Sequence, residues 1–178
     1  MTTGATNDKY PPPRAYPLRV ETGSLTHVDA TGAARMVDVT NKDVTARRAV
    51  AAGSVHTTVE VIALLRSDAL PKGDALAVAR IAGIMGAKKT PDLIPLCHPI
   101  AISGVEVSLE LADDRVDITA TVRTADRTGV EMEALTAVAT AGLAVIDMIK
   151  AVDPAATIDQ IRVLRKEGGK TGTWERAE

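Results

Sequence analysis

The sequence contains almost no aromatic residues: of its 178 residues, two are tyrosine, one is tryptophan and none is phenylalanine. The core must therefore be built from aliphatic side chains. Proteins that bind single-stranded nucleic acids stack successive bases on aromatic side chains. Because Tyr10, Tyr16 and Trp174 all lie near the chain ends, the interior of the sequence offers no such platform.

Cysteine and long apolar runs are also scarce. Cys97 is the only cysteine, so no intrachain disulfide can form and a secretory disulfide framework is excluded. No apolar run approaches the roughly 18 residues that a transmembrane helix needs. The first ten residues lack the basic start and apolar middle of a signal peptide. We therefore expect a cytoplasmic protein with no membrane partner.

An excess of positive charge is missing as well. Lysine and arginine total 21 against 23 acidic residues, which gives a net charge of −2. A general basic surface is therefore absent, and a nucleic-acid partner is not expected. A chain of this length buries roughly 70% of its surface as one domain. We predict one domain over residues 24–172, between a disordered proline-rich tail at 1–23 and a flexible C-terminus at 173–178.

Alternation of apolar and polar residues predicts the β-structure. It is clearest from Ser103 to Arg123, on both sides of an Asp113-Asp114 pair, and indicates an antiparallel hairpin with one buried face. Weaker strand patterns cover Arg35 to Val39, Val44 to Val55, and Thr157 to Arg165.

Three segments have helical patterns. The first, Val59 to Arg66, follows two candidate N-caps, Thr57 and Thr58. The second begins at Asp74 and ends before Pro91, and it places Ala77, Ile81, Ile84 and Met85 on one apolar face. The third, about Val130 to Val152, is apolar almost all round. The order strand, helices, hairpin, helix, strand predicts an α+β fold, a ferredoxin-like βαββαβ sandwich with an antiparallel sheet.

The third helix carries one narrow polar stripe, formed by Glu133, Thr136, Thr140 and Asp147 within a sector of roughly 60°. The stripe could face solvent, or its short side chains could line a cleft. Glu133 and Asp147 are fourteen residues apart, which is about 21 Å along a helix. One small pocket cannot use both, so they would serve different parts of a long site or sites completed by neighbouring subunits.

A loop with Pro91, Pro95 and Pro99 presents Cys97 and His98. Prolines hold such a loop extended, which suits an acid-base histidine, although the local sequence alone favours a structural histidine bonded to backbone. The only nearby feature that would suggest a nucleophilic role for Cys97 is the adjacent His98. The histidines and the cysteine show no zinc-ligand spacing, so no metal site is predicted.

Basic residues accompany glycine turns and helix starts. Gly168 and Gly169 stand between Lys166 and Lys170, where the backbone could approach an anion, although a flexible basic tail is the simpler alternative. Lys72 precedes the second helix, whose N-terminus favours negative charge. Arg47 and Arg48 point to opposite faces of a strand, so at most one enters a given pocket. In an acidic protein this distribution favours a local phosphate pocket.

Several long motifs together resemble the molybdenum cofactor biosynthesis protein C family, the cyclic pyranopterin monophosphate synthases. The likeness covers nearly everything except the two tails. It rests on Leu25-Thr-His-Val-Asp29, Met36-Val-Asp-Val39, Lys72-Gly-Asp74, Ala79-Arg-Ile-Ala-Gly-Ile84, Leu93-Ile-Pro-Leu-Cys-His-Pro99, Thr128-Gly-Val-Glu-Met-Glu-Ala-Leu-Thr136, Asp147-Met148 with Lys150-Ala151, and Gly168-Gly-Lys170.

The resemblance implies a lyase of molybdenum cofactor synthesis. It would convert (8S)-3',8-cyclo-7,8-dihydroguanosine 5'-triphosphate to cyclic pyranopterin monophosphate and release diphosphate. No resident cofactor is implied, and Mg²⁺ accompanying the triphosphate stays open. The family likeness also implies a homohexamer, a trimer of dimers, with active sites between subunits.

Site residues are carried over from the family position by position. The catalytic residues implied are Asp147, Lys72 and Lys150, which would act by lysine and aspartate general acid-base catalysis. The substrate-binding residues implied are Leu96, Cys97, His98, Glu131, Met132, Glu133, Arg47, Lys166 and Lys170. Three positions depart from the family: Arg127 stands where lysine is common, and Ile146 and Ile149 stand where relatives can have Tyr and Cys.

Two other functions stay open at this stage. A catalytically silent nucleotide-binding carrier or scaffold of the same pathway would share the motifs, although the intact Lys72, Lys150 and Asp147 favour an enzyme. A zinc enzyme similar to GTP cyclohydrolase would be distinguished by metal analysis.

Overall fold

The computed structural model describes residues 33–67, 70 and 72–177. The predicted tail at 1–23, the motif from Leu25 to Asp29 and its His27 lie outside these residues. Within the described residues the elements are β1 (Thr45–His56), α1 (Val59–Arg66), α2 (Ala75–Lys88), α3 (Thr90–Leu93), β2 (Ile102–Leu111), β3 (Arg115–Asp126), α4 (Glu131–Ile149), β4 (Thr157–Glu167) and β5 (Trp174–Glu175).

The strands form one five-stranded sheet in the order β2-β3-β1-β4-β5, and every neighbouring pair is antiparallel. Helix α4 packs on β1, β3 and β4, and α2 packs on α4 and β2. The architecture is therefore mixed α and β, with a helical layer on the antiparallel sheet. The predicted order of strands and helices is confirmed.

The predicted hairpin is β2 and β3. Ala112 N donates to Arg115 O at 3.0 Å, which closes the turn around Asp113 and Asp114. The apolar residues of β3 face the helices and are fully or almost fully buried: Val116, Ile118, Ala120 and Val122. Alternation in the sequence identified this face correctly because a strand sends successive side chains to opposite sides.

The first two helices begin where their capping residues predicted. The Thr58 hydroxyl accepts from Val61 N at 3.2 Å, and the Asp74 carboxylate accepts from Ala77 N at 2.9 Å. Both bonds satisfy backbone N–H groups that a helix start leaves without partners.

Helix α4 is the central element of the core. It is the one helix of the described segments whose length and composition would suit a membrane span. However, its Val138, Val145 and Ile149 are completely buried against protein. Its apolar surface is therefore explained by the sheet on one side and α2 on another.

The buried face of α2 differs from the predicted apolar face. Ile81 and Met85 are each 59% exposed and point outward, whereas Ile84 of the same predicted face is partly buried against the core. The fully buried residues of α2 are all small: Ala75, Ala79, Gly83, Gly86 and Ala87. A Cβ at Gly83 would lie 3.0 Å from Ala137 O, and one at Gly86 would overlap the Thr140 hydroxyl. These positions need small residues because α2 and α4 approach each other closely.

The polar stripe of α4 neither faces open solvent nor lines one continuous cleft. The Thr136 hydroxyl donates to Met132 O at 2.8 Å and the Thr140 hydroxyl donates to Thr136 O at 2.7 Å. Thr140 also packs against Gly86 of α2. The middle of the stripe is thus satisfied within α4 and covered by α2, which leaves only its two ends for chemistry.

Two local predictions were wrong. The segment from Arg35 to Val39 forms no strand, and Val37 O bonds a loop histidine instead of a sheet neighbour. The proline loop contains the short helix α3, since Pro91 suits the first turn of a helix. Within the C-terminal segment 173–178, Trp174 and Glu175 form β5, which pairs with β4.

The contact between α2 and α4 predicts the effect of a methyl group at Gly86. Replacing glycine by alanine inside a helix normally favours the helix by up to about 1 kcal/mol. Here we expect Gly86→Ala to lower the free energy of unfolding by about 1–3 kcal/mol, because the methyl group overpacks against Thr140. Urea unfolding measures the change.

Gly104→Ala is the matched control, because no atom lies within 4 Å of its Cβ position. We expect its effect to stay within about 0.5 kcal/mol. A Gly86→Ala protein as stable as the wild type would contradict the close packing of α2 on α4.

Candidate active site

A cavity of about 340 Å³ opens at the N-terminal end of α4. We call it the histidine cavity. All six site residues predicted on the proline loop and on the first turn of α4 line it. The complete lining is Val37, Val39, Lys42, Leu96, Cys97, His98, Thr128, Gly129, Glu131, Met132 and Glu133.

The proline loop is fixed to α2 before it reaches this cavity. The Thr90 side chain is buried and its hydroxyl donates to Ala87 O at 3.0 Å. Cys97 N donates to Ile94 O at 3.0 Å and closes a turn that presents Cys97 and His98. The loop conformation is therefore set by backbone bonds and by its prolines together.

The orientation of His98 is set by Val37. Its Nε2 lies 2.7 Å from Val37 O. A carbonyl oxygen can only accept, so Nε2 must be the donor and Nδ1 is the nitrogen available for proton exchange. A structural bond to backbone and a chemical role are therefore compatible in this histidine.

Glu133 is the buried carboxyl of the cavity, with only 3% of its surface exposed. Burial, and after it the charge of Glu131, raises its pKa to about 7. A group with such a pKa can both release and accept a proton near neutral pH. Burial and the charge of Glu133 also raise the pKa of the Cys97 thiol. Cys97 is thus held as a thiol and not as a nucleophilic thiolate.

Glu131 faces Lys166 of β4, and their charged atoms lie 3.4 Å apart. A small polar cavity of about 120 Å³ adjoins this pair and is also lined by Arg47 and Arg48. A Cβ at Gly129 would collide with the Glu131 carboxylate. The absence of a side chain at Gly129 therefore leaves room for the carboxylate that holds Lys166.

A second large cavity, of about 580 Å³, lies on the other side of Lys42, Thr128 and Gly129. We call it the basic cavity. Two predicted substrate-binding residues, Arg47 and Lys170, line it. The complete lining is Asn41, Lys42, Asp43, Thr45, Arg47, Arg127, Thr128, Gly129, Gly169, Lys170 and Thr171.

Backbone carbonyls hold the two arginines of the basic cavity. Arg47 Nε donates to Asp126 O at 2.9 Å, and Arg47 Nη2 donates to Arg127 O at 3.0 Å. Arg127 Nε donates to Lys42 O at 2.9 Å. These bonds tie β1, the end of β3 and the segment before β1 together, and they fix where both guanidinium groups lie.

The predicted catalytic residues lie at the opposite end of α4. Asp147 Oδ1 is 2.7 Å from Lys150 Nζ, and Asp147 Oδ2 is 3.1 Å from Lys72 Nζ. Lys72 Nζ also donates to Asp147 O at 2.7 Å. The bond from Lys150, and after it the bond from Lys72, holds the pKa of Asp147 below its ordinary value. All three side chains are exposed.

Within one chain, the predicted site residues therefore form two groups. The loop and first-turn residues meet in the histidine cavity, while Lys72, Asp147 and Lys150 meet about 21 Å away along α4. Sequence reasoning missed Lys42, which lines both large cavities. It has no motif or spacing that would have singled it out. Across the described ranges, no group of three or more His, Cys, Asp or Glu residues could hold a metal ion.

Comparison with known proteins identifies the family of this chain. The model of the MoaC family matches residues 36–169. A cyclic pyranopterin monophosphate synthase of Streptomyces coelicolor is 66% identical over 153 residues, which cover 86% of this chain and 90% of the relative. The protein of the same name from Streptomyces griseus is 68% identical over 152 residues, which cover 85% and 86%.

A third relative is a Mycobacterium tuberculosis protein named cyclic pyranopterin monophosphate synthase 2. It is 62% identical over 154 residues, which cover 86% of this chain and 92% of the relative. The family model covers both ends of α4 and the whole lining of the histidine cavity. The chain therefore belongs to the MoaC family.

Proposed function

We propose that the chain is a cyclic pyranopterin monophosphate synthase, a lyase of molybdenum cofactor biosynthesis. Its substrate would be (8S)-3',8-cyclo-7,8-dihydroguanosine 5'-triphosphate, and its products cyclic pyranopterin monophosphate and diphosphate. The observation that carries this proposal is the histidine cavity, where six residues matched to the family's substrate-binding positions meet. The relatives that carry this enzyme's name support it.

Rebuilding the guanine-derived ring needs proton donors and acceptors, and the histidine cavity supplies two. Glu133 has a pKa of about 7, and His98 presents Nδ1 because Val37 O occupies Nε2. General acid-base groups work best with a pKa near the working pH. In this proposal the ring occupies the histidine cavity, with Glu133 and His98 as its proton-transfer groups.

Lys72, Lys150 and Asp147 form the second part of the machinery. Asp147 contacts both ammonium groups, at 3.1 and 2.7 Å, so it fixes their separation. Cations held in this way can stabilise negative charge that develops on a phosphate. We assign Asp147 to positioning and the two lysines to contact with substrate.

The residues at the two ends of α4 can act in one reaction if each active site takes one set from one chain and the other set from a neighbouring chain. We propose a cytoplasmic homohexamer, a trimer of dimers of ferredoxin-like subunits, with active sites between subunits. The βαββαβ order and the antiparallel sheet support the fold assignment. The exposed apolar face of α2, with Val78, Ile81 and Met85, is a surface that a subunit contact would cover.

No resident cofactor is needed, and Mg²⁺ would enter only with the triphosphate.

A single-turnover incubation tests the enzyme directly, with pterin and diphosphate detected separately. We expect the wild type to form both. Lys72→Ala and Lys150→Ala should slow product formation by about 100-fold or more, as the loss of a proton-transfer or charge-stabilising group does. Lys88→Ala is the control, because Lys88 is an exposed lysine of α2 outside both groups, and it should keep the wild-type rate.

Other products would point elsewhere. Diphosphate without pterin would indicate a phosphohydrolase. Tight binding of the triphosphate without either product would indicate the silent carrier.

Burial of Glu133 predicts a pH dependence of stability. Its pKa rises from 4.5 to about 7 on folding, so between these values the folded state holds a proton that the unfolded state has lost. The free energy of unfolding contributed by Glu133 is then largest below pH 4.5 and falls as pH rises to about 7. Urea unfolding at several pH values should show that the free energy of unfolding of the wild type falls relative to that of Glu133→Gln as the pH rises from 4.5 to about 7.

Glu60→Gln serves as the control, because Glu60 is exposed on α1. It should keep the wild-type pH dependence. If wild type and Glu133→Gln differ by the same amount at every pH, Glu133 does not titrate near neutrality.

Shared active sites predict complementation between inactive variants. His98→Ala alters one end of α4, and Lys72→Ala alters the other. If each site takes these residues from different chains, equal mixing within oligomers should restore about a quarter of wild-type activity, since half of the chains keep each residue. Mixing Lys72→Ala with Lys150→Ala should restore none, because both belong to the same end. No recovery in the first mixture would argue against shared sites.

A further inference from the structure

The chain buries a second carboxyl group besides that of Glu133. Within the described ranges, Glu133 and Asp153 are the two acidic residues that are buried, and Asp153 is 8% exposed. Glu133 lines the histidine cavity, so the proposed reaction accounts for it. Asp153 lines neither the histidine cavity nor the basic cavity, and it lies outside the motifs that carry the family resemblance. Its burial therefore needs another explanation.

Two neutral groups hold the Asp153 carboxylate. Thr57 Oγ1 donates to Oδ2 at 2.8 Å, and Ala155 N donates to Oδ1 at 2.9 Å. No lysine, arginine or histidine nitrogen of the described residues lies within 4 Å of this carboxylate. Thr57 stands between β1 and α1, and its N donates to Asp114 O at 2.9 Å. Asp153 thus ties the segment after α4 to the junction of β1 and α1, which is itself bonded to the turn between β2 and β3.

Stability alone does not explain a carboxylate at this position. The carbonyl end of a helix is the negative end of its dipole, where a cation is favoured and an anion is not. Asp153 N donates at 3.0 Å to the carbonyl of Ile149, the last residue of α4, so Asp153 directly follows that end. Burial of a charged group without a cation also costs free energy. Residues that break such rules are expected where they serve function.

The segment that Asp153 anchors carries the lysine pair, Lys72 and Lys150. Lys150 is the C-cap of α4, and its N donates to Ile146 O at 2.8 Å. The Lys150 side chain contacts the carboxylate of Asp147, and Lys72 Nζ contacts both the carboxylate and the backbone carbonyl of Asp147. The last turn of α4 therefore locates both ammonium groups. Because all three side chains are exposed, their geometry depends on how firmly this turn is fixed.

We propose that Asp153 is a positioning residue for the lysine pair. Its bond to Thr57 fixes the end of α4, and that end in turn fixes Lys150, Asp147 and, through Asp147, Lys72. Asp153 itself is buried and does not contact the substrate. The reaction in which the lysines act rests on the proposed function, whereas the anchoring of α4 rests on bonds within the chain.

Substitutions at Asp153 and Thr57 test the bond between them. Asp153→Ala and Thr57→Val remove it. Asp153→Asn can keep both contacts, because its amide oxygen accepts from Ala155 N and its amide nitrogen donates to the Thr57 hydroxyl. Thr57→Ser keeps the hydroxyl and is the matched control for Thr57→Val.

We expect Asp153→Ala and Thr57→Val to lower kcat for pterin formation by about 10- to 100-fold, as a small misplacement of catalytic groups does. KM should change less, because the lysines stabilise charge that develops during the reaction. Asp153→Asn and Thr57→Ser should keep most of the wild-type kcat. Loss of kcat in Asp153→Asn as large as in Asp153→Ala, or no loss in Asp153→Ala, would overturn the proposal.

A double-mutant cycle under single-turnover conditions separates positioning from a general loss of stability. If Asp153 acts through the lysine pair, Asp153→Ala should cost several-fold less activity in a Lys150→Ala background than in the wild type. In a His98→Ala background it should cost as much as in the wild type, because His98 lies at the opposite end of α4. Equal losses in all three backgrounds would show a general structural effect and overturn the positioning role.

Amide hydrogen exchange tests the anchoring without the activity assay. The amides of Lys150, Val152 and Asp153 bond carbonyls of the last turn of α4, whereas the amide of Ala134 bonds Val130 O at its start. Asp153→Ala should speed exchange of the first three by about tenfold or more and leave that of Ala134 unchanged. Unchanged exchange at the end of α4 would overturn the anchoring.

The two kinds of measurement distinguish this proposal from the proposed function. A wild type that forms no pterin would remove the enzyme assignment, and the exchange rates would still decide whether Asp153 anchors α4. A wild type that forms pterin, with an Asp153→Ala protein that forms it equally fast, would leave the enzyme assignment and remove the positioning role.

Discussion

The structure depends on the close packing of α4 between the sheet and α2. Gly83 and Gly86 let the two helices approach closely, because a Cβ at these positions would meet Ala137 O and the Thr140 side chain. This contact covers the middle of α4 and leaves its ends open. A helix of 19 residues then acts as a rigid spacer. Glu133 and Asp147 are separated because they lie at opposite ends of this helix.

Much of the fold could be predicted because its signals are local. Alternation defined the hairpin, and Thr58 and Asp74 marked two helix starts through bonds to their own first turns. The buried face of α2 was missed because hydrophobicity ranks Ile81 and Met85 above glycine, while packing against α4 selects by size. Likewise, nothing within Arg35 to Val39 reveals that Val37 O serves His98 in place of a sheet neighbour.

The candidate site was predictable in composition but not in arrangement. Family motifs named Glu133 and Asp147 as site residues, and the helical period placed them about 21 Å apart. Their opposite pKa shifts could not be predicted, because burial raises the pKa of Glu133 and two lysine partners lower that of Asp147. Lys150 is only three residues from Asp147, but Lys72 and the elements that bury Glu133 are distant in sequence. Lys42 was missed for the same reason, since only folding brings it between two cavities.

The pairing of cations divides the basic residues by role. A lysine held by a carboxylate, such as Lys72 or Lys166, is positioned before substrate arrives but has part of its charge already neutralised. An unpaired cation such as Lys42 keeps its full attraction for an anion, at the cost of repulsion within the empty site. Pairing therefore fixes where Lys72 and Lys166 lie, whereas Lys42 keeps its charge available beside the two cavities.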